Sequence, residues 1–428
     1  MGDLRATKLK GWYEYIRQTC PICNKTGGCM INEAGDTVVC IREESNIVFS
    51  NSFQSWVHKL NEKQNLSVKN SNNFSNKTRE KLDSYMLNHF FRRLQEAAPL
   101  SDEHTQHMVS ERKMSLEEIK VRAYGSFPKN PIKAASYVFD NFHQLEKIPY
   151  GVPGFYKGKG NQGWSIAGSN GILIPYRNEY NEVVGYQIRV DNPLNDVSIN
   201  KERFPGLQAR VKQQPNLVQI LSDGEVLLER KVELGEVINV EHDGFKGEVK
   251  LVKGQRYFWL SSSNKNEGTG AGGPTPIHVA VPTKELKKWE QQVEDNKNSS
   301  EYTTLRKCKS VWISEGALKA DIAIEHISKV YSEEQLKVLG DTMLAVPGVN
   351  SWRMVMPLLE KMEVEKVNIA FDMDSMYNEK VAFQLREMIK ELKADNIHAS
   401  LVMWNSDDGK GIDDLFSQLK YPNIKELF

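Results

Sequence analysis

The sequence has no excess charge of either sign. Lys and Arg number 56 and Asp and Glu number 56, so the formal net charge is zero. The overall basicity that draws many proteins to nucleic acid is missing, and any attraction to a polyanion has to come from local patches. No apolar run approaches the roughly 18 residues needed to cross a bilayer. The opening stretch, MGDLRATKLKGWYEYIRQ, lacks the apolar centre of a signal peptide. The expectation is a cytoplasmic chain with no membrane partner. Cysteine is scarce, five in 428 residues. There is no G-x-x-x-x-G-K-S/T, so no phosphate-binding loop of that type, and GTGAGGP reads as a flexible loop.

What is present is ordered in blocks. Residues 1–60 carry four of the five cysteines, and 61–80 are rich in Asn, Ser and Lys and read as a linker. From Lys81 to about Val138 apolar residues recur at helical spacing, and Ser115 before an acidic turn reads as a helix N-cap. From Gly151 short strands and turns follow, GILIPYRNEYNEVVGYQIRV first among them, and a mixed helical and β-rich core is expected to run to residue 305. From 306 to 428 strands alternate with helices: VWIS, ALKADIAIEHISKVY, TMLAVP, VMPLLEKM, KVNIAFD, NEKVAFQLREMIKELKAD and HASLVMW. Such alternation predicts a parallel sheet flanked by helices.

Carboxylates follow three of those strands: Glu315 after VWIS, Asp372 and Asp374 after KVNIAF, and Asp413 and Asp414 in GKGIDD after HASLVMW. Ligands of open α/β sheets bind at the carboxyl ends of the strands. Several carboxylates gathered there repel one another unless a cation lies between them, and hard oxygen donors suit magnesium or manganese. If the strand continues, Asp372 and Asp374 share a face. Lys319, four residues after Glu315 on the same helix face, reads as a phosphate binder or as a salt-bridge partner.

The ordered set SEGALKA, AVPGVNSW and FDMDS resembles the Toprim domain of bacterial-type primases, topoisomerases and some nucleases, over about residues 308–416. The resemblance implies a magnesium site at Glu315, Asp372 and Asp374. It adds Asp413, or Asp414, as a further ligand and Glu315 as ligand or general base; Lys319, by its place on the helix, is the further catalytic candidate.

The cysteines follow C-x2-C-x5-C-x10-C, at Cys20, Cys23, Cys29 and Cys40. CPIC sets two thiolates on a tight turn, and CMINEAGDTVVC reads as a hairpin that closes a tetrahedral zinc site. His58 is the alternative fourth ligand, and Cys308 stands alone. The module resembles the zinc ribbon preceding many primase cores. Its candidates for DNA contact are Trp12, Arg17, Lys25 and Arg42.

Between the two sites, the segment with Arg177 and Arg189 resembles the primase strand pair that leads into Toprim. The resemblance implies cations there for template or nucleotide. Together these features give an α/β fold class: an N-terminal zinc ribbon, an α+β primase-like core and a C-terminal Toprim parallel α/β domain. The implied function is a DNA primase of a phage, plasmid or other mobile element, making short RNA primers on single-stranded DNA from nucleoside triphosphates by two-metal phosphoryl transfer. A separate replicative helicase is the implied partner. The alternatives are a Toprim-type magnesium-dependent nuclease and a non-catalytic DNA-binding replication or defence protein.

Overall fold

A computed structural model describes residues 4–7, 9, 11–16, 18–25, 27–43, 45, 47–50, 55–60, 79–140, 150–158, 163–200, 203–204, 206–272, 275–295, 304–373 and 379–428. They divide into two compact units, one of residues 1–74 with 190–258 and one of 75–189 with 259–428. Residues 190–258, part of the core expected over 81–305, group with the N-terminal residues. The expected linker lies outside the described residues except for its last two positions. Among the described residues no helix is long and apolar enough to cross a membrane.

In the first unit, β1 (Leu4–Ala6), β2 (Trp12–Tyr15), β3 (Met30–Asn32), β4 (Thr37–Cys40), β5 (Val48–Ser50) and β6 (Ser55–Lys59) form one sheet in the order β1-β2-β3-β4-β6-β5. Every described pairing in it is antiparallel. The β3–β4 hairpin turns through Gly35 at φ +73°, with the Asn32 side-chain oxygen accepting from the amides of Asp36 and Thr37.

The second unit begins with helices α1 (Ser84–Ala97), α2 (Asp102–Ser110), α3 (Leu116–Arg122) and α4 (Pro131–Phe139). Ser115 caps α3 as expected: it accepts from the Glu118 amide, and the Glu118 carboxylate accepts from the Ser115 amide. The strands here are β7 (Gly125–Ser126), β8 (Phe155–Lys157), β9 (Trp164–Ile166), β10 (Gly171–Arg177) and β11 (Val183–Val190). β11, β10 and β7 lie side by side in that order.

The chain then makes the insert that belongs to the first unit: β12 (Asn195–Asn200), β13 (Leu207–Gln213), β14 (Leu217–Ser222), β15 (Glu225–Lys231), β16 (Val237–His242) and β17 (Phe245–Lys253), left through β18 (Tyr257–Trp259). Two three-stranded antiparallel sheets, β12-β17-β16 and β13-β14-β15, share a core of Val197, Phe204, Val218, Ile220, Val249 and Leu251. Alternate residues of each strand supply that core, which is why the insert's sequence shows short period-two runs.

The rest of the chain is a six-stranded sheet in the order β19-β21-β20-β22-β23-β24. Its strands are β19 (His278–Ala280), β20 (Ser310–Glu315), β21 (Met343–Val346), β22 (Lys366–Ile369), β23 (His398–Met403) and β24 (Asn423–Glu426). The four inner strands are parallel and the two edges antiparallel. Helices cover both faces: α5 (Thr283–Asp295), α8 (Met356–Lys361) and α9 (Glu379–Ala394) on one, and α6 (Ala317–Val330), α7 (Glu333–Leu339) and α10 (Ile412–Ser417) on the other. Successive residues of β20 alternate between these faces: Val311 and Ile313 join the first core and Trp312 the second. Parallel strands buried on both faces read as continuous apolar runs, as VWIS and TMLAV do.

Candidate metal centres

The ribbon brings Cys20, Cys23, Cys29 and Cys40 together, with their sulfurs all within 4.8 Å of one another. Cys23 and Cys29 Sγ are 3.6 Å apart and Cys29 and Cys40 Sγ 3.7 Å. Four sulfurs at about 2.3 Å from one zinc ion would stand about 3.8 Å apart, so this spacing fits a tetrahedral ion. None of the four is in a disulfide. The first two are presented by a turn in which the Asn24 amide donates to Cys20 O at 2.8 Å and the Cys20 amide to Lys25 O at 2.9 Å. Asn24, Gly27 and Gly28 take positive φ there, and a Cβ on Gly28 would strike Ile41. Amides of Arg42 and Glu43 donate to Cys40 Sγ, and the Arg42 guanidinium donates to Cys23 and Cys29. Hydrogen bonds among the sulfurs hold Cys23 far below the ordinary thiol range and drive Cys20 far above it. Four thiolates in this space need a cation to coexist.

His58, the alternative ligand, hydrogen-bonds the Glu43 carbonyl oxygen at 2.9 Å instead. Cys308, which precedes β20, is half-buried, its thiol pushed up to about 11 chiefly by burial. Arg17 lies outside the described residues. Arg42, expected as a DNA contact, is turned onto the sulfurs.

The second centre follows from strand order. β20 connects through α6 to β21 on one side, whereas β22 connects through α9 to β23 on the other, over the opposite face. Connections diverge at the β20–β22 pair, and such a point opens a crevice at the carboxyl ends of the strands. Glu315 is the last residue of β20, and Asp372 lies three residues beyond the end of β22. Because β22 stops at Ile369, the two-residue face rule does not reach Asp372. Asp374 lies outside the described residues.

After Glu315 the chain turns into α6 in one residue, Gly316 at φ +77°, a left-handed conformation that favours glycine. This presents Lys319 in the first turn of α6. Its Nζ stands 2.7 Å from Asp372 Oδ1 and 2.5 Å from Oδ2, and Lys410 Nζ is 3.9 Å from Oδ2. From β23 the loop reaches Gly411 and α10. Asp414 is used locally, accepting from the amides of Lys410 and Gly411. Asp413 is 3% exposed, and its Oδ1 is buried with no hydrogen-bond partner. A Cβ on Gly411 would meet Asp413 Oδ1 at 2.2 Å, Asp372 Oδ1 at 3.3 Å and Lys319 Nζ at 3.4 Å. The three side chains therefore converge on the backbone at Gly411. Burial first, and Asp414 next, push the Asp413 carboxyl up to about 6 against the pull of Lys319 and Arg112.

Among the described residues, the cysteines are the group of three or more metal-ligating side chains within single-ion distance. The carboxylates Glu315, Asp372 and Asp413 do not close to that spacing, and Lys319 lies against Asp372 instead. An orphaned buried carboxylate oxygen and a pair of hard oxygen donors held by an ammonium nonetheless fit a divalent ion.

Arg177 and Arg189 are both buried. Arg177 ends β10, where its Nη1 donates to Glu290 Oε1 at 2.8 Å and to Asn181 Oδ1 at 3.0 Å. It ties α5 to β10 rather than facing outward. Arg189 sits near the end of β11, where its charge helps depress His107 of α2, burial being the larger cause. Sequence reasoning missed Arg112, in the loop after α2, whose charge acts on Asp413. The signal available was its place just before the α3 cap.

A family profile described as a domain of unknown function, DUF3854, matches residues 304–420. No curated protein matches the chain. Among solved structures, the chain is similar to the primase of Aquifex aeolicus (zinc-binding and RNA polymerase domains), at 10% identity over 97% of this chain and 77% of that one, with a TM-score of 0.40. It is similar to the RNA polymerase domain of Mycobacterium tuberculosis primase DnaG at 13% identity, over 79% and 82% of the two chains, with a TM-score of 0.38. A DnaG primase catalytic domain bound to single-stranded DNA is similar at 12% identity, over 78% and 80%, with a TM-score of 0.35.

Proposed function

We propose that the chain is a DNA primase that makes short RNA primers on a single-stranded template, in the replication of a phage, plasmid or other mobile element. The observation that carries this reading is the convergence of Asp372, Asp413 and Lys319 on Gly411, at the carboxyl ends of the strands where the connections diverge. The resemblance of SEGALKA and FDMDS to Toprim motifs, and the four-sulfur cluster in the same chain, agree with it.

Glu315, Asp372, Asp374 and Asp413 would hold magnesium or manganese. When bound, such an ion supplies Lewis-acid polarisation of a phosphoryl oxygen and a more acidic attacking hydroxyl. The chain's own part is positioning: β20 ends at Glu315, the chain three residues beyond β22 brings Asp372 to the same carboxyl edge of the sheet, and Asp413 lies in the first turn of α10. Glu315 ligates or accepts a proton. Nucleoside triphosphates and the template would meet this edge, with Lys410 and Arg112 adding positive charge to it. Cys20, Cys23, Cys29 and Cys40 would hold zinc, which crosslinks the ribbon.

The test is an assay with single-stranded template, labelled nucleoside triphosphates and magnesium, scored for new oligomers and for template loss. New oligomers that vanish in Asp372→Ala support the reading. Template shortening without oligomers would make the chain a nuclease and overturn it.

A further inference from the structure

The sheet-edge site carries an unusual charge arrangement. Both oxygens of Asp372 contact one ammonium, that of Lys319, at 2.5 and 2.7 Å. Lys410 adds a second cation 3.9 Å from Oδ2, and the charge of Arg112 acts on Asp413. Asp372 and Asp413, with Asp414 beside them, thus already face three cations. A hard divalent ion needs a carboxylate lone pair at roughly 2.0–2.1 Å and a near-octahedral shell. Each Asp372 oxygen keeps a lone pair for one ion, but the ammonium takes the directions and the charge that a second ion would use. Asp413, 97% buried with an oxygen that has no partner, opens onto the same point.

We propose that Lys319 is a resident counter-cation that takes the place of one of two divalent ions, so that the site binds a single ion where two are expected from the motif. This rests on the reading of the site as a metal centre. Lys319 holds Asp372 in position and neutralises it. Removing the ammonium exposes both Asp372 oxygens beside the orphaned oxygen of Asp413, a new pair of hard donors.

The experiment counts manganese bound to the full-length, zinc-loaded chain by electron paramagnetic resonance of free Mn2+. Wild type is compared with Lys319→Ala, Lys319→Met and Lys319→Arg, each checked by thermal melting. Lys319 is partly exposed, with about a third of its side chain open to solvent, so these variants are expected to fold. The expected result is one more Mn2+ per chain in the Ala and Met variants than in wild type, the wild-type number in Arg, and loss of the extra ion in Lys319→Ala/Asp372→Asn. Equal stoichiometry in wild type and Lys319→Ala, at one ion or more, overturns the counter-cation and leaves the metal reading standing. No ion in either protein overturns both.

Discussion

Arg122 of α3 and Asp321 of α6 form an ion pair closed to solvent, with Nη1 2.5 Å from Oδ1 and the side chains 2% and 3% exposed. Tyr124 donates to the other oxygen at 2.6 Å, and His278 Nε2 lies 3.0 Å from Oδ1. Because His278 Nδ1 accepts from the Arg177 amide, its Nε2 carries the proton. Burial opposes ionisation of Asp321, yet Arg122 and His278 hold its carboxyl well below the usual range. Breaking one half of such a pair costs about 3–5 kcal/mol, because it strands the other charge in the interior. Asp321→Asn and Arg122→Met should each lower the urea midpoint strongly, and Asp321→Leu/Arg122→Met should recover much of the loss. A folded-state pKa below the unfolded one gives stability that is present above the unfolded value of 3.8 and lost as pH falls toward the folded value. The penalty should therefore be flat from pH 5 to 8.

Asp413 has the opposite sign. Its pKa is raised from 3.8 to about 6, so its contribution favours the folded chain below pH 3.8 and is lost as pH rises through 6. Without divalent ions, Asp413→Asn should be more stable than wild type at pH 7.5, by at most about 3 kcal/mol at 1.36 kcal/mol per pKa unit. At pH 4 the two should melt alike. A wild-type melting point that does not respond to pH between 5 and 7 in chelator would contradict this.

At neutral pH, Asp372→Ala, Asp374→Ala and Glu315→Gln should lower primer synthesis by orders of magnitude. Without metal, Asp374→Ala and Glu315→Gln should change the melting temperature little, whereas Asp372→Ala, which removes the partner of Lys319, should lower it. Magnesium should raise the wild-type melting point more than that of Asp372→Ala. Activity lost only together with folding would remove this site from the chemistry.

Zinc analysis of chain purified without chelator should give about one ion per chain in wild type, Cys308→Ser and His58→Ala, and almost none in Cys20→Ser. Equal zinc in wild type and Cys20→Ser would rule out the four-sulfur site.

Arg177→Gln should lower stability through loss of the Glu290 contact. It should leave the salt dependence of single-stranded DNA binding unchanged, because a buried guanidinium releases no counterions from phosphate. A shallower salt slope in this variant would restore Arg177 to the template path.

The parallel sheet was legible because strands buried on both faces leave apolar runs, and amphipathic α9 leaves a helical period. Glu315, Asp372 and Asp413 were legible for the same reason: each follows such a run. The partner of Asp372 was not, since Lys319 is 53 residues away in the chain and only strand order brings it across. Spacing within the helix pointed to a link with Glu315. The interior role of Arg177 was illegible too. An arginine at a strand end looks the same in sequence whether it faces solvent or Glu290, and Glu290 lies 113 residues on. The grouping of 190–258 with the N-terminal residues left no local signal, because short strands and turns follow one another through it as they do around β10 and β11.

The sheet that carries the acidic residues is not self-sufficient. One edge strand, β19, comes from residues 278–280, before the span of the matching domain profile at 304–420. Arg122, which pairs with Asp321 and Glu325, and His278, which hydrogen-bonds Asp321, also lie outside it. An excised 304–428 fragment would open β21 as a bare strand edge and leave two carboxylates on an apolar helix without their counter-charges. Bare edges recruit other chains, so such a fragment should aggregate rather than fold. Sequence similarity ends at residue boundaries that the physical domain does not respect, and the part of this chain that can be transplanted is larger than the part that matches.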